Sequence, residues 1–108
     1  MGYQQEYERS LSDPDGFWRD AARAIDWSIE PTVICDDSAA PLYRWYSDGV
    51  LNTCYNAVDR HVEAGRGDQP ALHYVSPVTD STRTLTYAEL LDEVSTFAGV
   101  LTDLGVNA

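Results

Sequence analysis

The chain has 108 residues, 44% of them hydrophobic, with seven Arg, no Lys and eighteen Asp plus Glu, for a formal net charge of −11. A chain of this length buries roughly 60–70% of the surface it exposes when unfolded, enough for one modest core and too little for a multidomain catalytic machine. Three Trp, seven Tyr and two Phe argue against a disordered tail, and the acidic excess argues against nucleic acid or an anionic membrane surface as partner.

In chain order, residues 1–27 read as a helical lead-in. Tyr3, Tyr7 and Leu11 recur every four residues and predict a short amphipathic turn or two before Ser12. Asp13 followed by Pro14 combines an N-cap with a proline at the first helical position, and predicts a helix with Trp18, Ala21, Ala22 and Ile25 pointing inward. Residues 28–51 hold Pro31, Pro41, Asp36-Asp37 and Gly49 without sustained periodicity, and predict an irregular wrapping segment. Its Tyr43, Trp45 and Tyr46 imply that it lies against the chain's own helices or a neighbouring domain.

A second principal helix is predicted over 52–65, with Asn52 as N-cap, Gly65 just past the end, and Cys54, Val58, His61 and Val62 on one face. Two short strands, 71–75 and 83–86, flank a turn-rich stretch and predict a β-hairpin over 71–86. Such a ribbon is marginal alone and needs cover. The strongest local signal is the capping box Thr86-Tyr87-Ala88-Glu89, ahead of Leu90, Leu91, Val94, Phe97, Ala98, Leu101 and Leu104 at helical spacing. It predicts a helix over 87–104, stopped by Gly105, with Phe97 in the core. The class is α+β: two to three principal helices plus a hairpin.

The residues that could carry chemistry do not assemble by spacing. Asp59-Arg60-His61 has the composition of an acid–base set, but neighbouring helical residues point about 100° apart, which favours a helix-end charge cluster. Asp36-Asp37-Ser38 echoes a phosphopantetheine-carrying serine, yet Ala39-Ala40-Pro41 follows it where a helix should start, so a polar loop is expected. Gly65-Arg66-Gly67-Asp68 lacks the strand, Lys and Ser/Thr of a phosphate loop and reads as a helix terminator. Trp18, Trp27 and Trp45 with the tyrosines have no basic surround and read as core or interface anchors. Cys35, Cys54, His61 and His73 match no zinc spacing, so no metal site is expected. The two cysteines could form one disulfide. Their sparseness, with no signal-peptide pattern and no apolar run near the ~20 residues of a membrane span, favours a reduced cytoplasmic chain.

Read together, Asp13-Pro14-Asp15-Gly16-Phe17-Trp18, Asp26-Trp27, Trp45-Tyr46-Ser47-Asp48-Gly49, the run from Leu51 to Val62, and Thr86-Tyr87-Ala88-Glu89-Leu90 resemble the N-terminal region of AMP-forming acetyl- and propionyl-CoA synthetases. Asn56-Ala57-Val58-Asp59-Arg60-His61, Gly65 to Gln69 and Ser76-Pro77-Val78-Thr79 resemble the propionyl branch more closely. The resemblance implies a ligase that first makes an acyl-adenylate and pyrophosphate from ATP with magnesium, then displaces AMP with the CoA thiol. It also implies that the phosphate loop, the adenylate-gripping residues and the terminal-domain lysine lie later in the family's chain.

No catalytic, cofactor-binding or metal-binding position is therefore expected among these residues. The resemblance further implies an N-terminal fragment of a larger multidomain enzyme, since the family continues beyond Gly105-Val106 into a strand of the large domain. The expected role is a structural cap whose partner is the missing large adenylating domain, with self-association of the fragment when that domain is absent. The competing expectation is a stand-alone acidic protein-interaction module.

Overall fold

The computed structural model describes residues 2–107, which fall into two units, one up to Asn52 and one from Thr53. In the first unit, α1 (Tyr3–Ser12) carries no buried residue, and its Tyr3 and Tyr7 rings stack at 6.1 Å on an exposed face. Asp13 ends α1 and caps α2 (Pro14–Ala22), its carboxylate accepting from the Gly16 amide at 3.0 Å. Arg9 of α1 donates to the Gly16 carbonyl at 3.2 Å and pairs with Asp20, which ties the two helices together. Of the residues expected to point inward from α2, Ala22 is buried and Ile25 half-buried, while Trp18 and Ala21 are exposed. The helix is too short to carry its apolar stripe past Ala22.

The stretch expected to be irregular contains two antiparallel pairs: β1 (Trp27–Ile29) with β4 (Val50–Leu51), and β2 (Cys35–Asp36) with β3 (Arg44–Trp45). Strands of two or three residues are too short to show alternation, so no local pattern announces them. The intervening loops are held by Asp48, whose carboxylate accepts from the Thr32 amide at 3.0 Å and the Val33 amide at 3.1 Å. The Trp27 indole N–H donates to the Ala22 carbonyl at 2.9 Å, and β4 passes its ring at Gly49, where a Cβ would sit 2.8 Å from Cζ3. Ile34 is the most buried apolar residue here, 4% exposed.

In the second unit a helical run over 53–66 contains two wide π-helical turns, Tyr55–Asp59 and Val62–Arg66. The expected helix was an ordinary one. Its predicted face is present, with Val58 buried and Cys54, His61 and Val62 half-buried, but the widened turns also bury Asn56, which the spacing did not mark. Gly65 stands at φ 77, a left-handed conformation that Gly adopts without a Cβ clash, but it lies inside the last turn, which runs on to Arg66, and not just past the end as expected.

The hairpin pairs β5 (Pro70–Ser76) with β6 (Ser81–Thr86), with Ser76 opposite Ser81, Tyr74 opposite Arg83 and Leu72 opposite Leu85. The turn at 77–80 closes with Asp80 at φ 49. Thr86 ends β6 and caps α3 (Tyr87–Asp103) with no connector: its hydroxyl accepts from the Glu89 amide at 3.2 Å, and the Glu89 carboxylate accepts from the Thr86 amide at 2.8 Å. At the other end Gly105, at φ 85, donates to Thr102 while Val106 donates to Leu101, a Schellman closure.

Leu90, Leu91, Val94 and Leu101 of α3 are half-buried, where the helix packs on β5, β6 and the π turns. The expectation that Phe97 lies in the core is overturned: it is 62% exposed, and Val100 and Leu104 are exposed too. The stripe is continuous along α3, but beyond Val94 only Leu101 of it is half-buried. Val58 and Leu85 are the buried apolar residues of this unit, and the fold as a whole is α+β.

Candidate functional site

The first unit concentrates its aromatic rings around Tyr46. Trp18 comes from α2, Trp45 from β3, and Tyr46 follows it at φ 51, a left-handed conformation that costs an aromatic residue free energy. Three hydrogen bonds hold Tyr46 there: its amide donates to Ile34 at 2.9 Å, its carbonyl accepts from Gly49 at 3.0 Å, and its hydroxyl donates to the Trp18 carbonyl at 2.9 Å. Burial pushes its phenol above the ordinary range. Trp18 and Trp45 meet edge-on with centroids 5.7 Å apart, and Trp45 leans on Tyr46 at 6.1 Å. The three rings line a notch of about 260 Å³.

Trp27, 5.6 Å from Tyr46, borders a separate cavity of about 350 Å³. Arg19, Arg23, Glu30 and Thr32 rim it above Ala22 and Ile34. Arg23 is engaged with Asp20 at 2.9 Å, and Asp20, hydrogen-bonded by Arg9, is held below the usual carboxylate range.

The acid–base candidates separate. The Asp59 carboxylate accepts from the Cys54 thiol at 3.7 Å, whereas the His61 ring lies against Tyr87 at 4.8 Å with Nδ1 beside the Arg66 guanidinium. Desolvation, then Arg66 and Arg60, hold His61 below the ordinary histidine range, so the imidazole is neutral at pH 7. Asp36 ends β2 and accepts from the Ser38 amide at 3.0 Å, so the loop expected over Asp36-Asp37-Ser38 begins only after it. Cys35 and Cys54 are free thiols, both raised chiefly by burial and so weak as thiolate nucleophiles.

Gly67 and Gln69 offer their carbonyls to the Ala88 and Tyr87 amides, both at 3.0 Å, so the glycine turn braces the start of α3. Among the described residues no cluster of His, Cys, Asp or Glu could hold a metal ion, and no helix is long and apolar enough to cross a membrane. The feature that residue spacing missed is the ring notch. Its aromatic content was visible, but the convergence of Trp18 with Trp45 and Tyr46 depends on a contact between residues 28 positions apart.

Residues 3–57 match the sequence profile described as the acetyl-coenzyme A synthetase N-terminus, and the chain belongs to that family. Over 102 residues, 94% of this chain, it is 51% identical to acetyl-coenzyme A synthetase of Streptomyces avermitilis and 50% identical to that of Streptomyces coelicolor, covering 16% of each. It is 45% identical over 104 residues to the human mitochondrial acyl-CoA synthetase short-chain family member 3, covering 96% of this chain and 15% of that one. The chain thus spans about one sixth of the length of the curated relatives it matches.

Proposed function

We propose that this chain is the structural N-terminal region of an ATP-dependent, AMP-forming ligase that joins a short carboxylate, acetate or propionate, to coenzyme A. The observation that carries the reading is the family match together with about half identity to acetyl-coenzyme A synthetases along nearly the whole chain. In this reading ATP, magnesium and CoA are held by other parts of the polypeptide. Four of the carboxylates are engaged in internal bonds: Asp13 caps α2, Asp20 binds arginines, Asp48 closes a loop and Glu89 caps α3. No reaction step is assigned to a residue of this chain.

The partner is the large adenylating domain of the same enzyme, and the surface offered to it in the second unit is the uncovered half of α3 with the hairpin. Phe97, Leu104, Val75 and Val78 there are between 62% and 94% exposed, apolar side chains that a covering domain would remove from water. Without that domain the chain self-associates through the same surface. A cytoplasmic setting fits the two free thiols.

The test exchanges this chain for the corresponding region of the Streptomyces avermitilis enzyme. The chimaera should form acyl-CoA from acetate or propionate, while the 108-residue chain alone shows no pyrophosphate exchange and binds a hydrophobic dye. A folded but inactive chimaera, together with a monomeric chain that ignores the dye, would instead mark an autonomous interaction module.

A further inference from the structure

We propose that the notch walled by Trp18, Trp45 and Tyr46 is a docking site for a cationic side chain, an arginine presented by another polypeptide segment. The proposal is independent of the ligase reading. Aromatic faces carry the negative lobe of the ring quadrupole and attract a cation lying within about 6 Å of a centroid, most strongly at Trp. Here two indoles meet at 71° and a phenol adds a third wall, so a side chain entering the notch meets more than one ring at once.

The unit as a whole has the matching sign: residues 1–52 hold ten carboxylates against four guanidinium groups. Those four are placed elsewhere. Arg9 and Arg23 bind Asp20, Arg19 rims the other cavity, and Arg44 stands opposite Asp36 in the strand register, on the face of β3 opposite to Trp45. The notch is thus left to a cation from outside.

It is also preformed. Tyr46 keeps its left-handed backbone through three hydrogen bonds, one of them from its own hydroxyl to α2, so the walls need no reorganisation when occupied. Yet Trp18 and Trp45 remain 41% and 49% exposed, an expensive arrangement for two indoles that only fill space. Arginine suits the site better than lysine because its planar guanidinium stacks on an indole and is less strongly hydrated. A neutral apolar or proline-rich segment would gain burial alone and be indifferent to charge.

The experiment follows the three indole N–H signals of the isotope-labelled chain by NMR, at matched ionic strength. The probes are N-acetyl-arginine methylamide, its neutral citrulline counterpart and the norleucine counterpart. The Trp18 and Trp45 signals should shift saturably, with the arginine probe binding about fivefold more tightly than citrulline, the ratio that ~1 kcal/mol of cation–π attraction gives. Trp45→Leu should abolish the preference, and Trp45→Phe should reduce it without removing it.

Equal binding of arginine and citrulline, tighter binding of norleucine, or no saturable shift would overturn the proposal. So would an arginine preference that survives in Trp45→Leu, since surface charge alone would then explain it. Should Trp45→Leu lose its dispersed spectrum, Trp45→Phe carries the test, and an undiminished preference there also overturns it.

Discussion

The carboxylate of Asp48 grips Thr32 from sixteen residues away, accepting from its amide at 3.0 Å and from its hydroxyl, and reaches on to the Val33 amide. These bonds, led by that of the Thr32 side chain, hold the Asp48 carboxyl below its ordinary range. A group whose folded pKa is depressed stabilises the fold above its unfolded pKa, and the contribution is lost as pH falls through the folded value. Thermal unfolding of the chain should therefore show a midpoint falling below about pH 4, and Asp48→Asn should lower the midpoint at pH 7 while flattening part of that acid limb. An unchanged acid limb would remove Asp48 from the loop closure.

The junction at Thr86 predicts a localised loss. Thr86→Ala removes the acceptor for the Glu89 amide and should destabilise by about 1 kcal/mol, within the range of roughly 0.5–2 kcal/mol for lost N-caps. Thr86→Ser, which keeps the oxygen, should recover most of it. Urea unfolding of the three proteins checks the order.

Two apolar truncations should separate sharply. Leu85, 7% exposed, is a core residue, and Leu85→Ala should cost about 2–5 kcal/mol. Phe97 lies at 62% exposure, and Phe97→Ala in this chain should cost under about 1 kcal/mol, well below the loss for a buried phenylalanine. In the chimaeric enzyme the Phe97 penalty should rise, because there the proposed adenylating domain covers the ring. A large Phe97 effect in the isolated chain would contradict the observed helix face.

His61 should titrate below a free histidine, followed through its ring proton signals. Desolvation leads, with the charges of Arg66 and Arg60 adding to it, so Arg66→Gln should move the midpoint upward. Because the folded pKa is depressed, this group's contribution is complete above about pH 6.5 and declines as pH drops below it. A midpoint above 6.5 would mean that a carboxylate, and not Arg66, faces the ring.

The parts of the fold legible in the sequence are those written locally. Asp13-Pro14, the Thr86–Glu89 box and Gly105 each act within a few residues, and the helices start and stop beside them. The hairpin was legible because its turn and strands are contiguous. Not legible were the pairings of Trp27 with Leu51 and Cys35 with Trp45, which depend on closing loops whose residues carry no alternation. Periodicity marked Phe97 as apolar-facing but could not say what lies over it. The same limit hid the candidate site: Trp18, Trp45 and Tyr46 were visible as anchors, while the left-handed turn at Tyr46 that brings them together has no glycine to announce it.

The direct passage from β6 into α3 leaves no slack at residue 86. A single residue inserted or deleted there would swivel all of α3 by about 100° about its axis, presenting a different set of side chains to whatever it meets. At the exposed bend at 77–80, by contrast, an added residue would lengthen the ribbon's tip and leave the helix aimed as before.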